Sequence, residues 1–168
     1  MICINILCKN VIEQYSDLVY RIAISQVKNK QDAEDIFQDV FVSLIKNIYK
    51  IDNETHLKHW LIRATINRSK NYNLCIWKRQ VDFSDPAVNE DMSYSQDEDT
   101  QIDEIREQII SLPIKLRSVV YLYYYEDYSV DEIATILKIP SGTVKSRLSN
   151  ARKILKNKLG EVQLYDTQ

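Results

Sequence analysis

The sequence of 168 residues contains little glycine and proline, with 2 Gly and 3 Pro. Tight turns between strands need residues that tolerate positive φ or fix φ near −65°, so this scarcity argues against a β-sandwich or a barrel and favours helices. No apolar run approaches the roughly 20 residues that a membrane-spanning helix needs. The opening segment also lacks the basic region and cleavage site of a signal peptide. We therefore expect a cytoplasmic protein without membrane insertion.

Cysteine and histidine are also scarce, with 3 Cys and 2 His whose spacing matches no zinc pattern and no disulfide framework. A cluster of carboxylates offers oxygen ligands that could bind Mg²⁺, and it comprises Asp32, Glu34, Asp35 and Asp39. No second acidic cluster within a folded segment, glycine-rich phosphate loop or nucleophile–His pair accompanies it. The sequence therefore predicts no metal, no cofactor and no enzymatic activity.

The formal net charge of −2 argues, at face value, against a nucleic-acid partner. The charge is distributed unevenly, however. Residues 1–80 carry 12 Lys and Arg against 8 Asp and Glu, which is +4, and residues 105–168 carry 10 against 7, which is +3. Residues 81–104 carry 9 acidic and no basic residues, the composition of a solvated linker. We predict an all-α protein with two small helical domains, 1–80 and 105–168, joined by an acidic flexible linker over 81–104.

Apolar residues at three- and four-residue spacing predict three amphipathic helices in residues 1–80. The first runs from Val11, the second begins near Asp32, whose carboxylate is a candidate cap, and the third runs from about Leu57 past Asn71. The predicted buried stripe of the second helix is Ala33, Ile36, Phe37, Val40, Phe41 and Leu44. The third is expected to bury Leu57, Trp60, Leu61 and Ala64. On the second helix, Asp35, Gln38 and Asp39 then lie on the exposed side.

The third helix combines basic and amide side chains with aromatic rings. They are Arg63, Asn67, Arg68, Lys70, Asn71, Tyr72, Trp77, Lys78 and Arg79. Cations neutralise phosphates and rings stack on bases, so this mixture suits an unstacked nucleic-acid strand. Trp60 alone is weaker as an indication, because an aromatic at helical spacing is more often part of the core.

The C-terminal domain contains a predicted helix-turn-helix. Ser129 with Glu132 forms a capping box that starts a helix over Val130 to Leu137, and a second helix opens at Ser141, which we expect to be its N-cap. The buried stripe expected for this second helix is Val144, Leu148, Ala151, Leu155 and Leu159. Hydroxyls and cations crowd its outer side, which predicts contact with a major groove.

Two blocks of sequence resemble bacterial RNA polymerase sigma factors of the σ70 family, extracytoplasmic-function (ECF, group 4) type. The first block is DAEDIFQDVF over residues 32–41, followed by Trp60 to Ala64 and Asn67. The second runs from Leu112-Pro113 through Ile133-Ala134 to Gly142-Thr143-Val144-Lys145-Ser146-Arg147-Leu148. The resemblance spans about residues 11–159. It implies a σ2 domain in residues 1–80 and a σ4 domain in residues 105–168, without a σ3 domain between them.

The resemblance also implies roles for individual residues in directing core polymerase to promoters and starting transcription. Residues 32–41 would dock on the coiled coil of the polymerase β′ subunit through Asp32, Asp35, Gln38 and Asp39. The loop Tyr49 to Thr55 and the next helix would recognise and melt the −10 element through Asn53, Lys58, Trp60, Arg63, Asn67, Arg68 and Asn71. The helix-turn-helix would read the −35 element through Ser141, Thr143, Lys145, Ser146, Arg147 and Ser149. The C-terminal domain would also contact the polymerase β flap, and an anti-sigma factor is a further candidate partner.

One alternative function and one departure from the family pattern accompany this interpretation. A transcriptional regulator with a C-terminal helix-turn-helix would bind an operator without polymerase. Within the turn of the helix-turn-helix, the family usually has Gly where this chain has Lys138. If the backbone there has positive φ, Lys138 imposes a modest strain.

Overall fold

The computed structural model describes residues 2–82 and 106–159, with side chains described over 9–73 and 106–158. The chain divides into two compact units, residues 1–94 and 95–168. All regular secondary structure in the described residues is helical, which confirms the predicted all-α class. None of the helices described is both long and apolar enough to cross a membrane. The predicted linker lies outside the described residues except for its first two, so its flexibility and the domain boundaries stay predictions.

Unit 1 is a bundle of three helices, each packed against the other two. Helix α1 spans Ile2–Gln26, α2 spans Lys30–Asn47, a 3₁₀-helix follows over Ile48–Lys50, and α3 spans Glu54–Asp82. The first helix begins nine residues before the predicted start at Val11. Its apolar side is buried at Val11, Tyr15, Leu18, Val19, Ile22 and Ala23, and Val27, directly after the helix, is buried as well.

Helix α2 begins two residues earlier than predicted, because Asn29 rather than Asp32 is its N-cap. The Asn29 backbone is extended, and its side-chain oxygen accepts a hydrogen bond from the Asp32 backbone N–H at 2.8 Å. Asparagine and aspartate both cap helices well, but the sequence pattern was interpreted with Asp32 alone as the cap. The predicted buried stripe is confirmed except at Phe37, which is half-buried and contacts the rings of Tyr20 and Phe41.

The predicted core of α3 was partly wrong. Leu57 and Leu61 are buried as expected, but Trp60 and Ala64 are only half-buried. Within the part of this helix whose side chains are described, residues 54–73, the remaining core positions are Ile62, Thr65, Ile66 and Ser69. The two hydroxyls are tolerated because each donates to the carbonyl four residues earlier, Thr65 to Leu61 and Ser69 to Thr65, both at 2.8 Å.

In unit 2, residues 106–159 form four helices. Helix α4 is described over residues 106–110, α5 spans Ile114–Tyr124, α6 spans Val130–Leu137 and α7 spans Ser141–Leu159. The predicted bounds of α6 and its Ser129–Glu132 capping box are confirmed. The expected stripe of α7 is buried at Val144, Leu148, Ala151 and Leu155, while the side chain of Leu159 lies outside the described part.

The predicted cap of α7 was wrong by one position. Ser141 is the first helical residue, and the carbonyl of Pro140 accepts hydrogen bonds from the backbone N–H groups of Thr143 and Val144. Pro113 occupies the N-cap of α5 in the same way, with its carbonyl bonded to the next turn. A proline has no N–H to satisfy, while its carbonyl remains available to the first turn.

Arg117 on α5 is a buried cation that the sequence pattern did not reveal. Its guanidinium donates to the carbonyl of Leu112 at 2.8 Å and to that of Ile110, so it satisfies backbone oxygens where α4 ends and α5 begins. Burial lowers the pKa of Arg117 to about 10, which leaves it charged at neutral pH. Arg117 therefore ties the end of α4 to the start of α5.

The turn of the helix-turn-helix contains the conformation anticipated at Lys138. This residue has φ 54° and ψ 50°, in the left-handed region, and its N–H bonds back to the end of α6. A side chain with a Cβ pays roughly 1–2 kcal/mol in this region, whereas glycine does not. The tight turn into α7 therefore contains one strained residue, Lys138.

Replacing Arg117 with methionine should destabilise unit 2 by about 2 kcal/mol, because two buried carbonyls lose a charged donor. Urea unfolding followed by far-UV circular dichroism measures this loss. Trp60 and Trp77 both fall in residues 1–80, so tryptophan fluorescence reports unit 1 and serves as the control. An unchanged helical transition would show that Arg117 does not hold the turn.

Replacing Lys138 with glycine should stabilise unit 2 by about 0.5–1 kcal/mol, since relief of left-handed strain exceeds the added freedom of the unfolded chain. The same urea titration measures the shift in midpoint. Lys115→Gly provides the opposite control, because Lys115 lies within α5 where glycine costs helix stability. A loss of stability at position 138 would contradict the strain argument.

Candidate functional sites on the two units

Helix α2 presents one exposed face that mixes acidic, amide and apolar side chains. Asp35, Gln38 and Asp39 are exposed as predicted, while Val42 and Ile45 continue the same side of the helix and are 50% and 49% exposed. We call these five residues the α2 face. The prediction from the sequence did not include Val42 and Ile45, although both lie outside the predicted buried stripe of α2 and could have been recognised as exposed from that position. Large apolar side chains held beside charges are typical of a surface that a partner covers.

Asp32 does not belong to the α2 face. It is half-buried, and one carboxylate oxygen accepts from the hydroxyl of Tyr72 on α3. The other accepts from the side chain of Asn29 at 3.0 Å. Asp32 thereby joins the start of α2 to α3 within the unit. The neighbouring Glu34 is occupied as well, in an ion pair with Lys30 at 3.7 Å.

The cavity between α2 and α3 brings together three of the residues predicted to contact the −10 element. Asn67, Arg68 and Asn71 line it from α3, and its volume is about 250 Å³. The remaining lining residues are Val40, Ser43 and Ala64. The lining therefore offers amide, guanidinium and hydroxyl groups beside the apolar Val40 and Ala64, a combination that suits a planar polar group such as a base.

The other predicted −10 residues are spread along the start of α3. Spacings of three and four residues place Trp60, Arg63, Asn67 and Asn71 on one side of the helix, whereas Lys58 lies on another. Trp60 and Arg63 are half-buried on the shared side of α3, and Lys58 is exposed on a different side of that helix.

Asn53 precedes α3, and its side-chain oxygen accepts from the His56 N–H at 2.8 Å, so it caps the helix. The expected loop Tyr49 to Thr55 begins within the 3₁₀-helix Ile48–Lys50 and ends within α3. In this segment Tyr49 is 76% exposed, and the Nζ of Lys50 lies 5.3 Å from its ring centre. Tyr49 therefore adds an exposed stacking surface that the residue-level prediction did not include.

The predicted −35 residues all lie at the N-terminal half of α7. Lys145, Ser146 and Ser149 are exposed, and Ser141, Thr143 and Arg147 are half-exposed beside them. Val144 and Leu148 turn inward between them and anchor the helix on the core of unit 2. The helix therefore exposes hydroxyls and cations on all the sides that its buried stripe leaves open, with Lys145 and Arg147 on opposite flanks of that stripe.

Four of the six cations of α7 differ in whether they bind a partner within unit 2. Arg152 donates its Nε to the hydroxyl of Tyr124 at 2.8 Å, and Lys158 donates to Ser111 at 2.7 Å, so both belong to the packing of unit 2. Lys145 and Arg147 form no ion pair with any residue in the described part of the chain. This separation leaves the charges of the first turns available to an external anion.

Comparisons with known proteins agree with this geometry. The family description "Sigma-70 region 2" matches residues 11–74, and "Sigma-70, region 4" matches residues 102–155. The ECF RNA polymerase sigma factor SigW of Bacillus subtilis is 30% identical, with 91% of this chain and 89% of that protein covered. An ECF RNA polymerase sigma-E factor of Haemophilus influenzae is 28% identical over 81% of this chain and 79% of that protein.

Solved structures show the same fold. The sigma factor RpoE of Bartonella quintana, crystallised with the anti-sigma factor NepR, superposes with a TM-score of 0.68 at 21% identity, covering 92% of this chain and 98% of that one. CnrH, in complex with the cytosolic domain of CnrY, gives 0.66 at 18% identity, covering 93% and 89%. Together, the two family regions in order and the relatedness over almost the whole chain show that this protein belongs to the ECF sigma factors of the σ70 RNA polymerase sigma family.

Proposed function

We propose that, within this sigma factor, unit 1 docks on core RNA polymerase and recognises and melts the −10 element, while unit 2 recognises the −35 element. The observation that carries the proposal is the set of exposed side chains left outside each core: an acidic and apolar face on α2, an amide and guanidinium cavity beside it, and unpaired cations on α7. We place this activity in the cytoplasm, with the polymerase, and in a subunit that itself catalyses no reaction.

The α2 face is the proposed docking surface for the polymerase β′ coiled coil. Its carboxylates would steer and orient a basic partner, and burial of Val42 and Ile45 would supply affinity that surface charges alone do not provide. The contacts of Asp32 support a different role from the direct docking role expected for this residue. With its carboxylate bonded to Tyr72 and Asn29, it would position α2 against α3 and act on docking indirectly.

The cavity between α2 and α3 is the proposed contact for the separated −10 strand. Asparagine amides can pair with the edge of adenine, and Arg68 can neutralise a phosphate. Melting costs base stacking, which captured bases and phosphate contacts must offset. Tyr49, in the 3₁₀-helix before α3, adds an exposed ring on which a base can stack.

Helix α7 is the proposed reader of the −35 element in the major groove. Its first turns combine hydroxyls with the cations Lys145 and Arg147, and its buried stripe holds the helix rigidly. We propose that unit 2 also meets the polymerase β flap. Since the structures of RpoE and CnrH were obtained with partners, one of them named as an anti-sigma factor, we further propose an anti-sigma factor as an inhibitor of this chain.

Reversing both Asp35 and Asp39 to lysine should abolish co-purification with core polymerase, because two attractive charges on the α2 face become repulsive. Pull-down of core polymerase by the tagged full chain measures this. The matched control is Glu13→Lys with Asp17→Lys, an exposed acidic pair with the same spacing on α1. Retained co-purification of the α2 variant would remove the docking assignment.

Alanine at Lys145 or Arg147 should weaken binding of the −35 element by about 1–3 kcal/mol for each lost contact. Electrophoretic mobility shifts of the polymerase complex on promoter fragments measure the change. Lys115→Ala removes an exposed cation from α5 of the same unit and should have little effect. If all three variants bind equally well, α7 does not read the promoter as proposed.

A further inference from the structure

One ion pair in unit 1 joins the two proposed interfaces of that unit. The Arg68 Nη1 atom lies 3.9 Å from the Asp39 Oδ2 atom. Asp39 belongs to the α2 face, and Arg68 lines the cavity between α2 and α3. Both side chains remain accessible, Asp39 at 63% and Arg68 at 46% exposure, so an external partner can reach either one.

The Asp39 carboxylate and the Arg68 guanidinium each carry a single charge. A cation of the polymerase that binds the Asp39 carboxylate competes with Arg68, and a DNA phosphate that binds the Arg68 guanidinium competes with Asp39. Asp35 lies one turn earlier on the same face and forms no ion pair with the described residues. The competition is therefore specific to Asp39 among the two exposed carboxylates of the α2 face.

We propose that the Asp39–Arg68 ion pair couples polymerase docking to DNA binding. In the free chain each side chain occupies the other, and whichever partner arrives first breaks the pair and leaves the second group available. The cost of separating the charges is then met once, so that each partner strengthens binding of the other by the same factor. This inference rests on the proposed function, because it assigns the two groups to polymerase and DNA.

The size of the coupling follows from the exposure of the pair. Exposed ion pairs at this distance change an equilibrium about 1.5-fold to fivefold, and added salt weakens them. We therefore expect a coupling factor within that range at low ionic strength, falling toward one as salt is raised. The ion pair therefore makes a modest change to the affinity for each partner, and it does not prevent either partner from binding first.

Binding of the free full-length chain to a fluorescent single-stranded oligodeoxyadenylate tests the DNA side. Asp39→Asn should tighten binding about twofold to fivefold more than Asp35→Asn, which removes the same charge from the same face without releasing Arg68. The extra gain should vanish when Asp39→Asn is combined with Arg68→Gln. Equal gains from the two asparagine variants, or an unchanged gain in the Arg68→Gln background, would overturn the proposal.

Titration of labelled core polymerase with the chain, in the absence of DNA, tests the polymerase side. Arg68→Gln should tighten docking about twofold to fivefold because it frees Asp39, while Lys28→Gln, which removes one positive charge outside both proposed interfaces, should leave docking unchanged. No gain from Arg68→Gln would contradict the coupling. Failure of the proposed function is distinguishable, since Asp35→Asn and Asp39→Asn would then both leave polymerase docking unaltered.

Discussion

The burial of one apolar stripe on α2 is the constraint on which the arrangement of unit 1 depends. Ala33, Ile36, Val40 and Leu44 are almost completely buried against α1 and α3, so the rotation of α2 about its axis is fixed. The side of α2 opposite the buried stripe is then exposed, and the residues on that side must face outward. The exposure of Asp35, Gln38 and Asp39 is therefore a consequence of the core. The same logic applies in unit 2, where the buried Val144 and Leu148 oblige Lys145 and Arg147 to face outward.

Sequence reasoning reached this arrangement wherever a single local signal decided the outcome. The Ser129–Glu132 capping box defines α6 by itself, and the stripe of α2 has a clear helical period. It failed where two signals competed or where tertiary contacts decided. Asp32 was the predicted cap, whereas Asn29, three residues earlier, is the one that α2 uses. Trp60 and Ala64 were expected in the core, whereas Thr65 and Ser69 are buried there with their hydroxyls bonded back to the helix. The burial of Arg117 depends on carbonyls five and seven residues away along the chain, for which no periodic pattern exists.

The candidate sites were predictable as helix faces, but their internal connections were not. Periodicity placed Asp39 on one exposed side and Arg68 on a basic helix, yet their proximity depends on how α2 packs against α3. The same packing withdraws Asp32 into contact with Tyr72. Charge by segment was informative where the total was not, since the −2 of the whole chain conceals two domains of +4 and +3 beside an acidic segment of −9.

The central claim is that this chain selects promoters only as a subunit of RNA polymerase. Run-off transcription from a library of genomic fragments, with core polymerase and the chain added separately and together, tests it most directly. Discrete start sites should appear only when both are present, and the chain alone should show no sequence-specific retention of those fragments. Tight, specific binding by the chain alone, without any start sites when core polymerase is added, would contradict the account and identify an operator-binding regulator.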